Sequence, residues 1–304
     1  MTRDPMSGAA KSIELVDVTL RDGLQLLKRT VPTAAKLELL EALAAAGVRR
    51  AEVGSFVNPK LLPQFNDTPE MLAAARRLPG LSACVLVPNR RGFDTALQHR
   101  PDEVVIVVSA SEAHNRSNIN RTVGQSLAEL SPMLADGRAA GIHMRLAIAT
   151  AFHCPFDGAV GHDKVFRVLD EAMASNALAE VVLCDTIGHA FPHEIAALVA
   201  AVAQRCDTRV LKIGVHAHDT RGRGVANARA AATAGAPVLD GALAGLGGCP
   251  YAPGASGTVA IDAVAAALQA DGIATGTLID RLERAAALAA AFADPEARAA
   301  QSAA

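Results

Sequence analysis

Long apolar runs are missing from this 304-residue chain. No stretch reaches the roughly 20 residues that a membrane-spanning helix needs, so no membrane partner is expected. The N-terminal MTRDPMSGAAKS lacks the apolar stretch of a secretory signal. Residues 1–11 are expected to be a short disordered lead to one domain over 12–304. Charge of one sign is scarce as well. With 29 Lys and Arg against 31 Asp and Glu, the formal net charge is -2. That balance argues against general nucleic-acid or membrane-surface binding, while leaving room for a local basic patch facing an acidic ligand. CxxC spacing is absent, and the five cysteines (Cys84, Cys154, Cys184, Cys206, Cys249) are odd in number. A disulfide scaffold is disfavoured and a reduced, cytoplasmic chain is expected. Nor is there a linker, a low-complexity tract or a GxGxxG turn after the first apolar run.

What the chain does have is alternation. Short apolar runs predict strands near Ile13–Val18, Arg50–Val53, Leu81–Leu86, Glu103–Val108, His143–Ile148, Glu180–Leu183, Leu211–Val215 and Val238–Gly241. Alanine-rich helical patterns follow them near Thr33–Ala46, Thr68–Arg77, Gly92–His99, Thr122–Ala140, His162–Ser175, His193–Arg205, Gly222–Ala234 and Val259–Ala270. Eight βα units fit an α/β fold of the (β/α)8 TIM-barrel type better than the alternative, an open doubly wound sheet. Two extra C-terminal helices are expected from about Thr275, the second starting at Pro295, either to cap the barrel or to dimerise.

In such a barrel the chemistry comes from strand carboxyl ends and the loops that follow. His216 and His218, in KIGVHAHDT, are two apart at one strand end and share a face. The first strand runs into Arg21, Asp22 and Gln25, the second carries Glu52, and the sixth ends in Asp185. Buried carboxylates are costly unless paired or bound to a cation, and three of them with two imidazoles at one mouth are hard to attribute to packing. Asp22, His216 and His218 form an oxygen-and-nitrogen set suited to Mg2+, Mn2+ or Zn2+. Arg21 beside them suits an enolate-type oxyanion, and Glu52 and Asp185 suit the orientation of neighbouring His and Arg side chains. Cys249 sits in a glycine-rich loop of the kind that forms lids. Asn89, Asn118 and Asn120 fall after strand ends, where they serve either as turn formers or as contacts to substrate oxygens. Lys28, Arg29, Lys60, Arg90, Arg91 and Arg116 also follow strand ends, as a rim for a phosphorylated carrier or as plain solvated surface.

The ordered motifs RDGLQ (21–25), EVGSFVNPK (52–60), PN (88–89), SASE and NIN (109–120), CPFDG (154–158), DTIG (185–188), HAHDT (216–220) and GLGGCPYAPGASG (245–257) span nearly the whole chain. Through them the sequence resembles 3-hydroxy-3-methylglutaryl-CoA lyases and the wider metal-dependent lyase barrels with an Arg-Asp-Gly-x-Gln motif. The Gly-Gly-Cys-Pro-Tyr loop resembles the lyase branch rather than Claisen-condensing relatives. The resemblance implies cleavage of a 3-hydroxy-3-methylglutaryl-CoA-like acyl-CoA to acetyl-CoA and acetoacetate or a related ketone, with a divalent cation and a homodimeric assembly. Catalytic roles then fall to Arg21, Asp22, Glu52, Asp185, His216 and Cys249, with Asp22, His216 and His218 as ligands. Gln25, Ser55, Asn89, Asn118, Asn120 and Thr258 are expected to contact substrate.

The sequence also departs from the family pattern. An asparagine ligand nine residues after the loop cysteine is replaced by Thr258, a poorer neutral ligand. Leu26-Leu27 replaces Asn-Glu. The tip of strand five reads Ala147-Ile148-Ala149-Thr150, and Gly188-His189-Ala190-Phe191 follows Asp185. These changes touch the pocket more than the metal face and imply an acyl group that need not be methylglutaryl. The alternatives are a Claisen-type condensing enzyme and a catalytically weakened binding protein.

Overall fold

The computed structural model describes residues 12–248 and 257–293. Eight parallel strands close into a barrel: β1 Glu14–Asp17, β2 Arg50–Ser55, β3 Ser82–Val87, β4 Glu103–Ser109, β5 His143–Ala149, β6 Glu180–Asp185, β7 Lys212–Ala217 and β8 Val238–Gly241. Each strand pairs with its neighbours in sequence, and β1 closes on β8 through the register Glu14–Val238 to Asp17–Gly241. This is the TIM barrel that the alternation predicts. The closed ring removes the open-sheet alternative.

Ten helices occur among the described residues: α1 Thr33–Ala45, α2 Thr68–Ala75, α3 Arg90–His99, α4 Glu112–Ile119, α5 Val123–Ala139, α6 His162–Met173, α7 Pro192–Arg205, α8 Gly224–Thr233, α9 Ile261–Ala270 and α10 Ile279–Ala290. Their start signals are local. Asn89 and Ser111 cap α3 and α4 through the backbone N–H groups of Gly92 and His114, and Thr122 with Gln125 forms a reciprocal capping box on α5. Helix α10 packs on α1, burying Leu282, Ala285 and Ala289, while the Leu278 N–H donates to the Ala46 carbonyl. It is the first of the two expected C-terminal helices. The second, the lead over 1–11 and Cys249 lie outside the described residues.

Three features escape the periodicity. Thr19–Gly23 forms one wide π-helical turn, with the Asp22 and Gly23 N–H groups both donating to Val18 O. Such turns concentrate at functional sites because they re-aim side chains at a strand end. Helix α4 is short and polar, held between its Ser111 cap and a left-handed Asn120. A two-stranded hairpin, His153–Cys154 with Gly158–Ala159, follows β5.

The core has two parts. Between sheet and helices it is apolar, with residues such as Leu39, Val104, Leu130, Val181 and Leu198 fully buried. Along the barrel axis, strand side chains alternate, and the alternate set carries charge. Arg50, Glu103, Arg145, Glu180 and Asp240 are all buried there. Arg50 Nη1 donates to Glu103 and Glu180 at 2.9 Å each, and Arg145 donates to Glu180 (2.6 Å) and Asp240 (2.5 Å). Gly214 on β7 makes room for this cluster, since a Cβ there would stand 3.3 Å from Glu180 Oε1 and 3.4 Å from Arg145 Nη2.

Candidate active site

The carboxyl ends of the strands surround a cavity of about 250 Å³, the position at which barrel enzymes carry their chemistry. Arg21, Asp22, Gln25, Glu52, Asn118, His216 and His218 line it, so seven residues singled out in the sequence converge although they span almost 200 positions. The π turn delivers Arg21 and Asp22. Glu52 precedes a register shift in β2, and the period of β7 sets both imidazoles facing inward.

Asp22 is held at both oxygens. Arg21 Nη1 donates to Oδ1 at 2.6 Å, and the Thr258 hydroxyl donates to Oδ2 at 2.5 Å. That same Oδ2 lies 3.8 Å from His216 Nε2 and 3.9 Å from His218 Nε2. Both separations are too long for hydrogen bonds and suit three donors around one shared cation. One ligand atom from each residue lies within 4.8 Å of the others. Burial opposes the Asp22 charge, but Arg21, the two histidines and Thr258 outweigh it and hold the carboxyl well below its usual range. An ionised carboxylate and two imidazole nitrogens are the donor set a hard or borderline divalent ion requires, so the residues fit the group.

The two histidines differ. Burial and neighbouring His216 push His218 down to about 4, which keeps it neutral and able to ligate. Burial also opposes charge on His216, yet Asp240, whose Oδ2 lies 3.5 Å from Nδ1, and Asp22 raise it above its ordinary value. Arg21 is further fixed by Glu52, with Nε donating to Oε2 at 2.5 Å. Burial alone would lower its guanidinium; Glu52 and Asp22 keep it above the usual arginine range and permanently cationic.

The remaining expected residues are spread more widely. Asp185 is buried and accepts the N–H groups of His189 and Ala190 at 3.1 Å each. It organises the turn after β6, and Thr186 rather than Asp185 lines the cavity. Burial, partly offset by those two bonds, raises its carboxyl to about 6. The Ser55 hydroxyl donates to Leu86 O, and Ser55 lines an adjoining cavity together with Asn89, whose side chain caps α3. Asn120 ends α4 in a left-handed conformation. The loop carrying Cys249 is pinned at its base, where a Cβ on Gly257 would stand 2.5 Å from the Gly247 carbonyl carbon. Gly248 lines the cavity.

Strand-tip reasoning missed three lining residues. Asp240, the register partner of His216, and Arg145 are recognisable as lone charges inside apolar strands, the signal that should have flagged them. His114 also lines the cavity, with Nδ1 2.8 Å from the Ser109 hydroxyl, and burial pushes it down to about 4.

The family model described as HMGL-like matches residues 12–289. The mitochondrial hydroxymethylglutaryl-CoA lyase of Bos taurus is 39% identical over 272 residues, 90% of this chain and 83% of that protein. The crystal structure of the HMG-CoA lyase from Brucella melitensis superposes with a TM-score of 0.87 at 39% identity, covering 93% of this chain and 99% of the other. An HMG-CoA lyase from Acinetobacter baumannii in complex with coenzyme A and 3-methylmalate superposes with a TM-score of 0.85 at 33% identity, over 92% of each chain.

Proposed function

The chain belongs to the HMGL-like family, and on that premise we propose that it is a lyase cleaving a 3-hydroxy-3-methylglutaryl-CoA-like acyl-CoA to acetyl-CoA and acetoacetate or a related ketone. The observation that carries this reading is the convergence of Asp22 Oδ2 with two imidazole Nε2 atoms beside a permanently charged Arg21. Asp22, His216 and His218 are the residues that hold the divalent cation, Mg2+ or Mn2+ with Zn2+ as the alternative. When bound, that ion supplies Lewis acidity that polarises the substrate's oxygens and acidifies its tertiary hydroxyl.

The rest is work for side chains. A base takes the hydroxyl proton: with His216 Nε2 given to the cation and its Nδ1 facing Asp240, that role falls to a water held by Asp185, whose carboxyl burial raises to about 6. The bond between C2 and C3 then breaks. Its electron pair passes to the thioester as an enolate while C3 leaves as the ketone carbon. Arg21 faces the enolate charge, fixed in place by Glu52 and Gln25. Protonation of the enolate carbon, by or through Cys249, yields acetyl-CoA. Gln25 and Asn118 are the substrate contacts that cavity lining supports best, and Thr258 acts through Asp22. Ala147 and Ala149 leave one wall small and apolar, which supports acyl groups beyond methylglutaryl. A cytoplasmic homodimer belongs to the same reading; the free thiols of the four described cysteines support the reducing compartment.

A panel of 3-hydroxy-3-substituted acyl-CoAs, assayed for acetyl-CoA and for the carbonyl co-product by mass spectrometry, tests this. Acetyl-CoA should appear with Mg2+ or Mn2+ and disappear with chelator. Release of no acetyl-CoA from any member, with metal present, would remove the lyase reading. Cleavage of the methylglutaryl thioester alone would remove only the broader acyl range.

A further inference from the structure

The catalytic cavity has two unlike halves. Around β1, β2 and β7 its wall is polar, made of Arg21, Asp22, Glu52, His216 and His218. Across from them β4 and β5 present Val105, Val107, Ala147 and Ala149, with Ile119 of α4 beside them. Ring order places β5 four strands from β1 in either direction, so the two strands stand diametrically opposed.

The apolar wall is shallowest on β5. Arg145, Ala147 and Ala149 alternate onto its inner face, and Val107 stands beside Ala147 in register. Two methyl side chains in succession, between the valines of β4 and Cys184 of β6, leave a notch that runs up the strand from Arg145. The titratable groups beside it carry no charge to spare. The Arg145 guanidinium is already bonded to Glu180 and Asp240. Burial keeps the Cys184 thiol protonated and pushes His114, which shares α4 with Ile119, down to about 4.

The reaction lays the substrate across this divide. Arg21, at the β1 end, faces the enolate half, so C3 and the groups that leave with it as the ketone point toward β5. A pocket there without free charge selects hydrocarbon by size. A C3 methyl group would leave most of its lining without contacts.

We propose that the β5 notch is the pocket for the C3 substituent, and that it selects 3-hydroxy-3-alkyl acyl-CoAs with a propyl- or isobutyl-sized alkyl group over the methyl compound. The assignment deepens the lyase reading above and rests on it. Each methylene carried into the notch should raise kcat/KM about fourfold until the space is filled.

Acetyl-CoA release from the 3-hydroxy-3-methyl-, ethyl-, propyl- and isobutylglutaryl thioesters, measured on the full chain with Mn2+, tests the pocket. kcat/KM should climb along the series, with isobutyl at least about tenfold above methyl. Ala147→Val and Ala149→Val, which fill the notch, should each lower the isobutyl-to-methyl ratio at least about tenfold. A wall with a purely structural role would lower both rates together and leave that ratio where it was. A wild-type profile that is flat or highest for methyl would overturn the pocket without recourse to any variant. So would a ratio within twofold of wild type in both folded valine variants. Methyl-preferring cleavage leaves the lyase reading intact, whereas no acetyl-CoA from any thioester removes that reading and this assignment with it.

Discussion

Two charged clusters share the barrel interior, and they differ in how closely their members approach one another. In the lower cluster, Arg50, Glu103, Glu180, Arg145 and Asp240 interlock at 2.5–2.9 Å, and Glu103 also meets His143 Nδ1 at 2.6 Å. The upper cluster is open. Asp22 stands 3.8 and 3.9 Å from the two imidazoles. A buried ion network drawn together by short mutual bonds is architecture, whereas one that holds its charges slightly apart is arranged around something else. Asp240 joins the two, contacting Arg145 through one oxygen and His216 through the other. The packed lower cluster thereby sets the ring of an imidazole in the open one, as carboxylates behind metal-ligating histidines do.

The contrast can be broken from either side. Arg145→Met removes a cation from the closed cluster and strands Glu180 and Asp240. Urea unfolding should show a loss of about 3–5 kcal/mol. A loss below about 1 kcal/mol would mean that the lower cluster is not the closed network described. Arg21→Met attacks the open cluster, and there the cost should be read in rate: turnover falls about 10²–10³-fold while Mn2+ still binds. Near-wild-type turnover would remove the enolate role.

A buried carboxyl outside both clusters sharpens the comparison because no cation pairs with it among the described residues. Asp17, at the end of β1, bonds only Thr19 N–H and hydroxyl, and burial pushes it up to about 7. The folded chain therefore binds this proton more tightly than the unfolded chain. Stability should fall as pH rises from about 4 to about 7 and level off above, by an amount on the order of 4 kcal/mol. Asp17→Asn should flatten that slope in pH-dependent denaturation; an unchanged slope would show that Asp17 ionises freely in the fold.

Much of this was legible before any coordinates. All eight strands and their helices follow from apolar runs alternating with helical periods, because burial on both faces leaves a signature that no distant residue alters. The tip residues Arg21, Asp22, Glu52, His216 and His218 were legible for the same reason: strand ends in a barrel converge by construction. The π turn at Thr19–Gly23 was not, since five residues carry no period, and α4 was hidden by its polarity. Asn89, read as a turn former or a substrate contact, caps α3, a role the sequence reading did not offer.

The sequence by itself determined which strands form, which side chains face the axis and which chemical groups reach the mouth, since these depend on local period and order along the chain. Tertiary structure alone decided how the charges were distributed. Thr258 reaches Asp22 across 236 positions, Arg145 closes on Asp240 across 95, and Lys60 and Arg91 come to one cavity while Arg90 is neutralised next to them. Electrostatic partnership depends on distance and burial in the closed barrel, and neither quantity is written in any local stretch of residues.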